Sequence, residues 1–121
     1  MTAQGGNAPG RLTRRAEFLR VAARGRKVAV HGLVLQAMAR DDTDPVRLGF
    51  TVTRKVGNAV VRNRTRRRLK EAARLVLGSV PAVGADLVLV GRDGTRGRKF
   101  AVLMDDLARA LDKAGVRREV P

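Results

Sequence analysis

Residues 54–70 hold eight basic side chains (Arg54, Lys55, Arg62, Arg64, Arg66, Arg67, Arg68 and Lys70) and no acid. The chain's formal net charge is +15, and outside this run 18 Lys and Arg stand against 11 Asp and Glu. On a helix, Arg62–Arg66, Arg64–Arg68 and Arg66–Lys70 fall at i,i+4, where like charges cost a few tenths of a kcal/mol per pair. Glu71 is the only acid nearby. A polyanion would supply the missing negative charge. Arginine suits phosphate because its planar fork donates two hydrogen bonds at once.

Other chemistries are poorly provided for. The chain has no Cys, which removes disulfides, thiolate nucleophiles and Cys-based zinc sites. His31 is its only His and Ser79 its only Ser, so a Ser-His-Asp hydrolase would need both and a two-histidine nuclease is excluded. Phe18, Phe50 and Phe100 are the only aromatics, too few for a row of base-stacking rings. Asp41, Asp42 and Asp44 precede Pro45 without a His or Glu beside them and read as turn formers, not as metal ligands. No catalytic residue and no metal ligand is assigned.

The elements that must position the basic run follow from pattern. Residues 14–24 read as a helix with Thr13 as N-cap and Gly25 as stop. Residues 28–39 are β-prone, as one strand or two, and 41–45 form a turn. Residues 47–55 read as a strand with Leu48, Phe50 and Val52 on one face and Gly49, Thr51, Thr53 and Lys55 on the other. Gly57-Asn58 turns the chain into a helix over 59–77, with Asn58 as N-cap and Gly78 as its end. Thr65, Leu69, Ala72, Ala73 and Val76 form its buried stripe; Asn63, Arg67, Lys70 and Arg74 form an exposed row with Arg66 at its edge. Arg64 and Arg68 lie on the other flank, and Arg62 points partly towards the sheet.

Residues 86–90 lack alternation, as in a strand covered on both faces. Residues 91–97 read as a flexible loop, and Phe100–Leu111 as an amphipathic helix. The fold class is α/β (α+β), a two-layer sandwich with a four-stranded sheet, in the order α-β-β-β-α-β-α if 28–39 splits. One domain is expected over 11–115, with a disordered tail at 1–10 and a C-terminal tail at 116–121. Neither a secretory signal nor an apolar run of about 20 residues is present, so a soluble cytoplasmic protein without membrane contact is expected.

The segment 55–72, Lys-Val-Gly-Asn-Ala-Val-Val-Arg-Asn-Arg-Thr-Arg-Arg-Arg-Leu-Lys-Glu-Ala, resembles the signature of the bacterial ribonuclease P protein subunit. There, a Gly-Phe-Thr-Val-Thr-Arg-Lys type strand (here 49–55) runs through a Gly-Asn turn (57–58) into a helix opening Arg-Asn-Arg (62–64). The resemblance spans about residues 11–112. It implies a left-handed crossover carrying the basic helix, which the general rule of right-handed crossovers could not supply.

It also implies a role: assisting a catalytic RNA that cuts the 5′ leader from precursor tRNA with Mg2+, the ion being held mainly by RNA and substrate. Arg62, Asn63, Arg64, Arg66, Arg67, Lys70 and Arg74 would face RNA. Phe18, Thr51, Thr53, Arg54, Lys55 and Asn58 would belong to the leader cleft. Ala22 and Gln36 stand where the family often has aromatics, and Arg68 where a residue is often apolar. The implied partners are the catalytic RNA and precursor tRNA, with no protein partner required. A ribosomal or other structural RNA-binding protein is the alternative reading, and a protein-only nuclease a poorer one.

Overall fold

A computed structural model describes residues 8–118. Its helices are α1 (Arg15–Arg24), α2 (Ala59–Ser79), α3 (Asp93–Gly97) and α4 (Phe100–Lys113). Its strands are β1 (Gly10–Arg11), β2 (Arg26–Ala29), β3 (Leu33–Ala39), β4 (Arg47–Val52), β5 (Ala82–Val83), β6 (Ala85–Gly91) and β7 (Arg117–Arg118). The main sheet has five strands in the order β1-β4-β6-β3-β2, and β5 pairs with β7 alone.

The sheet therefore has one strand more than the four expected. Gly10, assigned to the N-terminal tail, is in it: Gly10 N–H donates to Val46 O (2.8 Å) and Leu12 N–H to Leu48 O (2.9 Å). A strand of two residues leaves no periodicity to read. Arg117 and Arg118, assigned to the C-terminal tail, likewise pair with Val83 and Ala82. The rest of the two expected tails, 1–7 and 119–121, lies outside the described residues.

Residues 28–39 do split, into the antiparallel hairpin β2–β3. The strand expected over 47–55 stops at Val52, and Arg54–Val56 form a 3-10 turn. Helix α2 runs through Gly78 to Ser79, because Gly78 is exposed there and no contact opposes the helical path. At α1 the N-cap is Arg14, not Thr13; the Glu17 carboxylate caps the helix by accepting from the N–H groups of Thr13 and Arg14 (3.0 Å each). Gly25 does end α1, with extended backbone, and a Cβ there would lie 2.6 Å from Val21 O.

β6 lies between β4 and β3 and is buried along most of its length. Its Leu87 and Leu89 join Leu33, Leu35, Leu69, Leu103 and Leu107 in the main core between the sheet and α2/α4. Its Val88 packs with Leu12 and Val21 under α1 on the opposite face, with Phe18, Met38 and Val90 alongside. Gly49 on β4 makes room for Phe18, whose ring would lie 2.5 Å from a Cβ at that position.

β4 and β6 are parallel neighbours joined through α2. Seen from the α2 side with β4 running upward, Leu48 points toward the viewer into the main core. For an L-residue in that pose the N–H and C=O turn to the right. The Leu48 carbonyl accepts from Leu12 beside β1, so β1 lies to the right of β4 and β6 to its left. The crossover is left-handed, against the hand of about 98% of such units.

Asp86, 2% exposed, ties the sheet to α1. It accepts from Arg40 (2.8 Å) and from Arg47 Nε and Nη2 (2.9 and 2.7 Å), while Arg47 also reaches Glu17 on α1 (2.7 Å). Burial by itself pushes the Asp86 carboxyl up, but the hydrogen bonds and charges of Arg47 and Arg40 outweigh it and hold it below the usual value. Stability from this group is then complete above the unfolded pKa of about 3.9 and lost as pH falls through the lowered folded value. Asp86→Asn is expected to cost about 3 kcal/mol at pH 7 by leaving the arginines unpaired. In urea titrations the gap between wild type and variant should begin to narrow below about pH 4; a gap constant down to pH 3 would exclude the carboxylate as its source.

Candidate nucleic-acid interface

The Gly57-Asn58 turn sets the direction of α2. Asn58 Oδ1 accepts from Val61 N–H (3.0 Å), and a Cβ on Gly57 would lie 2.9 Å from Val61 Cγ1. Thr65, Leu69, Ala72, Ala73 and Val76 are buried, as the stripe requires. Thr65 satisfies its hydroxyl by donating to Val61 O (2.9 Å).

On the outer side, Asn63, Arg66, Arg67 and Lys70 line one shallow groove of about 310 Å3. Arg66 Nη1 donates to Asn63 Oδ1 (2.8 Å), so the edge residue of the expected row lies within it. Arg74, the row's expected end, is taken by Glu71 through contacts of 2.6 and 3.0 Å. That pair holds the Glu71 carboxyl below its usual range. Arg64 is exposed on the other flank, and Arg62 is half-buried with its Nε shielded and without a hydrogen-bond partner.

Arg68 has a structural role. Its guanidinium donates to the carbonyls of Thr95 and Arg96 (3.0 Å each) and Arg98, at the end of α3, and lies 5.9 Å from the Phe100 ring centroid. Residues 91–97, expected as a flexible loop, are thus organised as the end of β6, the N-cap Arg92 and the helix α3. Thr95 is buried there, accepts from Arg92 N–H (2.9 Å) and donates to Gly32 O. The signal missed in the sequence was a long-range partner: one cation 27 residues away satisfies carbonyls that a five-residue helix cannot.

The expected leader-cleft residues divide. Phe18 is half-buried against Gly49, and Thr51 is half-buried on the same face, paired with Val90. Thr53 and Lys55 instead open into a cavity of about 690 Å3 at the C-terminal ends of β4 and β6, with His31, Val90, Arg92 and Gly94. Arg54 and Asn58 are exposed beside it without lining it. His31 and Arg92 were not among the expected site residues; the β2–β3 turn and the start of α3 bring them there. Arg92 is tied to that turn through Val30 O (2.9 Å). Ala22 is exposed on α1, and Gln36 is half-buried opposite Val88. The arrangement can hold phosphates along α2 and a strand of nucleic acid over the sheet.

Among the described residues, no group of three or more His, Cys, Asp or Glu converges as a metal site, and no helix is long and apolar enough to cross a membrane.

The family model described as Ribonuclease P matches residues 7–115. The ribonuclease P protein component of Gluconacetobacter diazotrophicus is 71% identical over 107 residues, 88% of this chain and 92% of its own. That of Paramagnetospirillum magneticum is 49% identical, covering 87% and 82%. Among solved structures, the RNase P protein of Staphylococcus aureus superposes with TM-score 0.74 at 26% identity, over 90% of this chain and 98% of that one. The Thermotoga maritima protein gives 0.73 at 27%, over 85% and 96%.

The two neighbouring arginines on α2 should separate cleanly. Arg68→Ala is expected to lower unfolding free energy by about 2 kcal/mol, the scale of a lost charge-assisted hydrogen bond that leaves buried carbonyls unsatisfied. Arg67→Ala should stay within about 0.5 kcal/mol of wild type, as an exposed substitution relieved of like-charge neighbours. Equal losses in chemical denaturation would overturn the assignment of Arg68 as a strut.

Proposed function

The chain belongs to the ribonuclease P protein family, and on that premise we propose that its α2 groove seats the catalytic RNA while the sheet face beside α1 takes the 5′ leader. It is the protein component of a ribonucleoprotein endoribonuclease, and its role lies in processing the 5′ end of tRNA. Family membership displaces the alternative of a ribosomal protein.

The observation that carries the site reading is the groove of Asn63, Arg66, Arg67 and Lys70: it holds three cations and an amide, with no carboxylate among its lining residues. Phosphate oxygens can accept from all four side chains. The same set does not fit Mg2+, which takes oxygen ligands and would be repelled by the cations. In this reading the ion is held by RNA and substrate phosphates. The protein helps by screening repulsion between phosphate backbones and by positioning the substrate, so that less Mg2+ is needed.

The leader lies over the face lined by Phe18, Thr51 and Thr53 and enters the cavity at Lys55. One aromatic and two hydroxyls suit a single strand better than a duplex. With Ala22 and Gln36 offering no rings, phosphate contacts supply most of the grip. Arg62 and Arg64 extend the RNA-facing surface at the start of α2, whereas Arg74 contributes less because Glu71 already pairs with it.

The test is cleavage of precursor tRNA at limiting Mg2+ by a bacterial ribonuclease P RNA, with and without the protein, beside a protein-only control. Correct 5′ cleavage only with both components is expected. Arg67→Ala should weaken holoenzyme assembly about fivefold at 0.1 M salt, the counterion-release value of one phosphate contact to single-stranded RNA. Arg96→Ala should change it little. Equal losses would reduce the groove to bulk charge, and cleavage by protein alone would place the chemistry elsewhere.

A further inference from the structure

At the end of the sheet opposite the start of α2, the chain encloses another cavity, of about 570 Å3. The end of α1, the start of β2, the β5–β6 turn and the segment after α4 form its walls. Arg24, Arg26, Arg40 and Arg117 all line it. Arg40 is neutralised by Asp42 and Asp86. Arg24, Arg26 and Arg117 have no carboxylate within ion-pair distance among the described residues.

Two glycine turns border the cavity. Gly84 and Gly115 both have φ of +73°, a conformation that disfavours side chains. The Arg117 guanidinium lies 3.8 Å from a Cβ position on Gly84, and that of Arg26 lies 3.8 Å from one on Gly115. A Cβ on Gly84 would also lie 2.7 Å from Asp42 O, whereas both arginine distances are ordinary van der Waals contact. Arg26 is further steadied by the Lys113 carbonyl at the end of α4 (3.4 Å). Three arginines thus line one concave site and, among the described residues, pair with no carboxylate.

We infer that this cleft is a second RNA-backbone site, taking a phosphodiester of the catalytic RNA at the far end of the sheet from the Thr53–Lys55 cavity. It rests on the reading that the chain's partner is that RNA, and adds a contact which the α2 groove does not include. The cavities adjoin Ala85 and Gly91, the two ends of β6. Six residue steps along a strand separate them by about 20 Å. Anchored at both ends, the protein spans two separate stretches of RNA backbone. Guanidinium forks hold phosphate oxygens in pairs, and an extended polyanion can meet several of them at once.

The experiment measures equilibrium binding of the full-length protein to a bacterial ribonuclease P RNA across a salt series. Arg26→Gln/Arg117→Gln is expected to lower affinity about 25-fold at 0.1 M salt and to flatten the log–log salt slope by about 1.4, for two phosphate contacts. The charge-matched control Arg96→Gln/Lys99→Gln should change both far less. Equal effects from the two pairs, or no effect from the cleft pair, would overturn the proposal, the latter leaving the cleft to an acidic peptide or another ligand.

Arg67→Gln/Lys70→Gln, measured in parallel, tests the α2 groove separately, so failure of one site does not hide the other. Phenylglyoxal modification of the wild-type protein gives a readout independent of variant folding. Arg24, Arg26 and Arg117 should be protected by RNA while Arg96 is not; unprotected cleft arginines would refute the second site.

Discussion

The burial of the narrow apolar stripe of α2 against the sheet is the constraint on which the rest depends. Three like-charge pairs at i,i+4 cost roughly 1 kcal/mol together. Burying Leu69 alone, which is fully inaccessible, returns about 1.5–3 kcal/mol. Packing therefore wins, and a helix too cationic to persist in isolation is held in place. Ala72 and Ala73 keep the stripe thin, and Gly91 lets Thr65 come close: its methyl would lie 3.0 Å from a Cβ on Gly91. Once that face is seated, the directions of Asn63, Arg67 and Lys70 are settled by helical geometry.

The second organising fact is a division of labour among arginines. Arg40 and Arg47 close on Asp86, and Arg98 and Arg109 close on Asp106, a carboxylate with no exposure. Arg68 and Arg118 donate to carbonyls at helix ends, Arg118 to Val80 and Val76 at the end of α2. These cations hold the fold together and offer little to a ligand. Those of the α2 groove, and Arg24, Arg26 and Arg117 at the opposite end, have no such carboxylate partner among the described residues. Net charge alone cannot separate the two groups.

Function follows from where the unneutralised charge lies. A protein that offers cations to a polyanion must carry them on surfaces that do not collapse onto its own acids. Here two acids, Asp86 beneath α1 and Asp106 on the inner face of α4, are buried against their own arginines, and the lining of the α2 groove contains no carboxylate. The sheet supplies a fixed spacing between its two ends, with Phe18 and Thr51 half-buried on the α1 face.

Much of this was legible in the chain itself. The 3.6-residue stripe of α2, the Asn58 cap, the alternation of Leu48, Phe50 and Val52 and the basic row at 63, 67 and 70 are local patterns, and local patterns are written in sequence. The family signature across 49–72 is equally local. Tertiary structure alone decided what depends on distant partners: the pairing of Gly10 with Arg47, the helix α3 braced by Arg68, and the cavity joining His31, Lys55 and Arg92. The left hand of the β4–α2–β6 crossover was implied only by the family resemblance; a hydrophobic pattern reads the same in either hand, and the packed sheet distinguishes them.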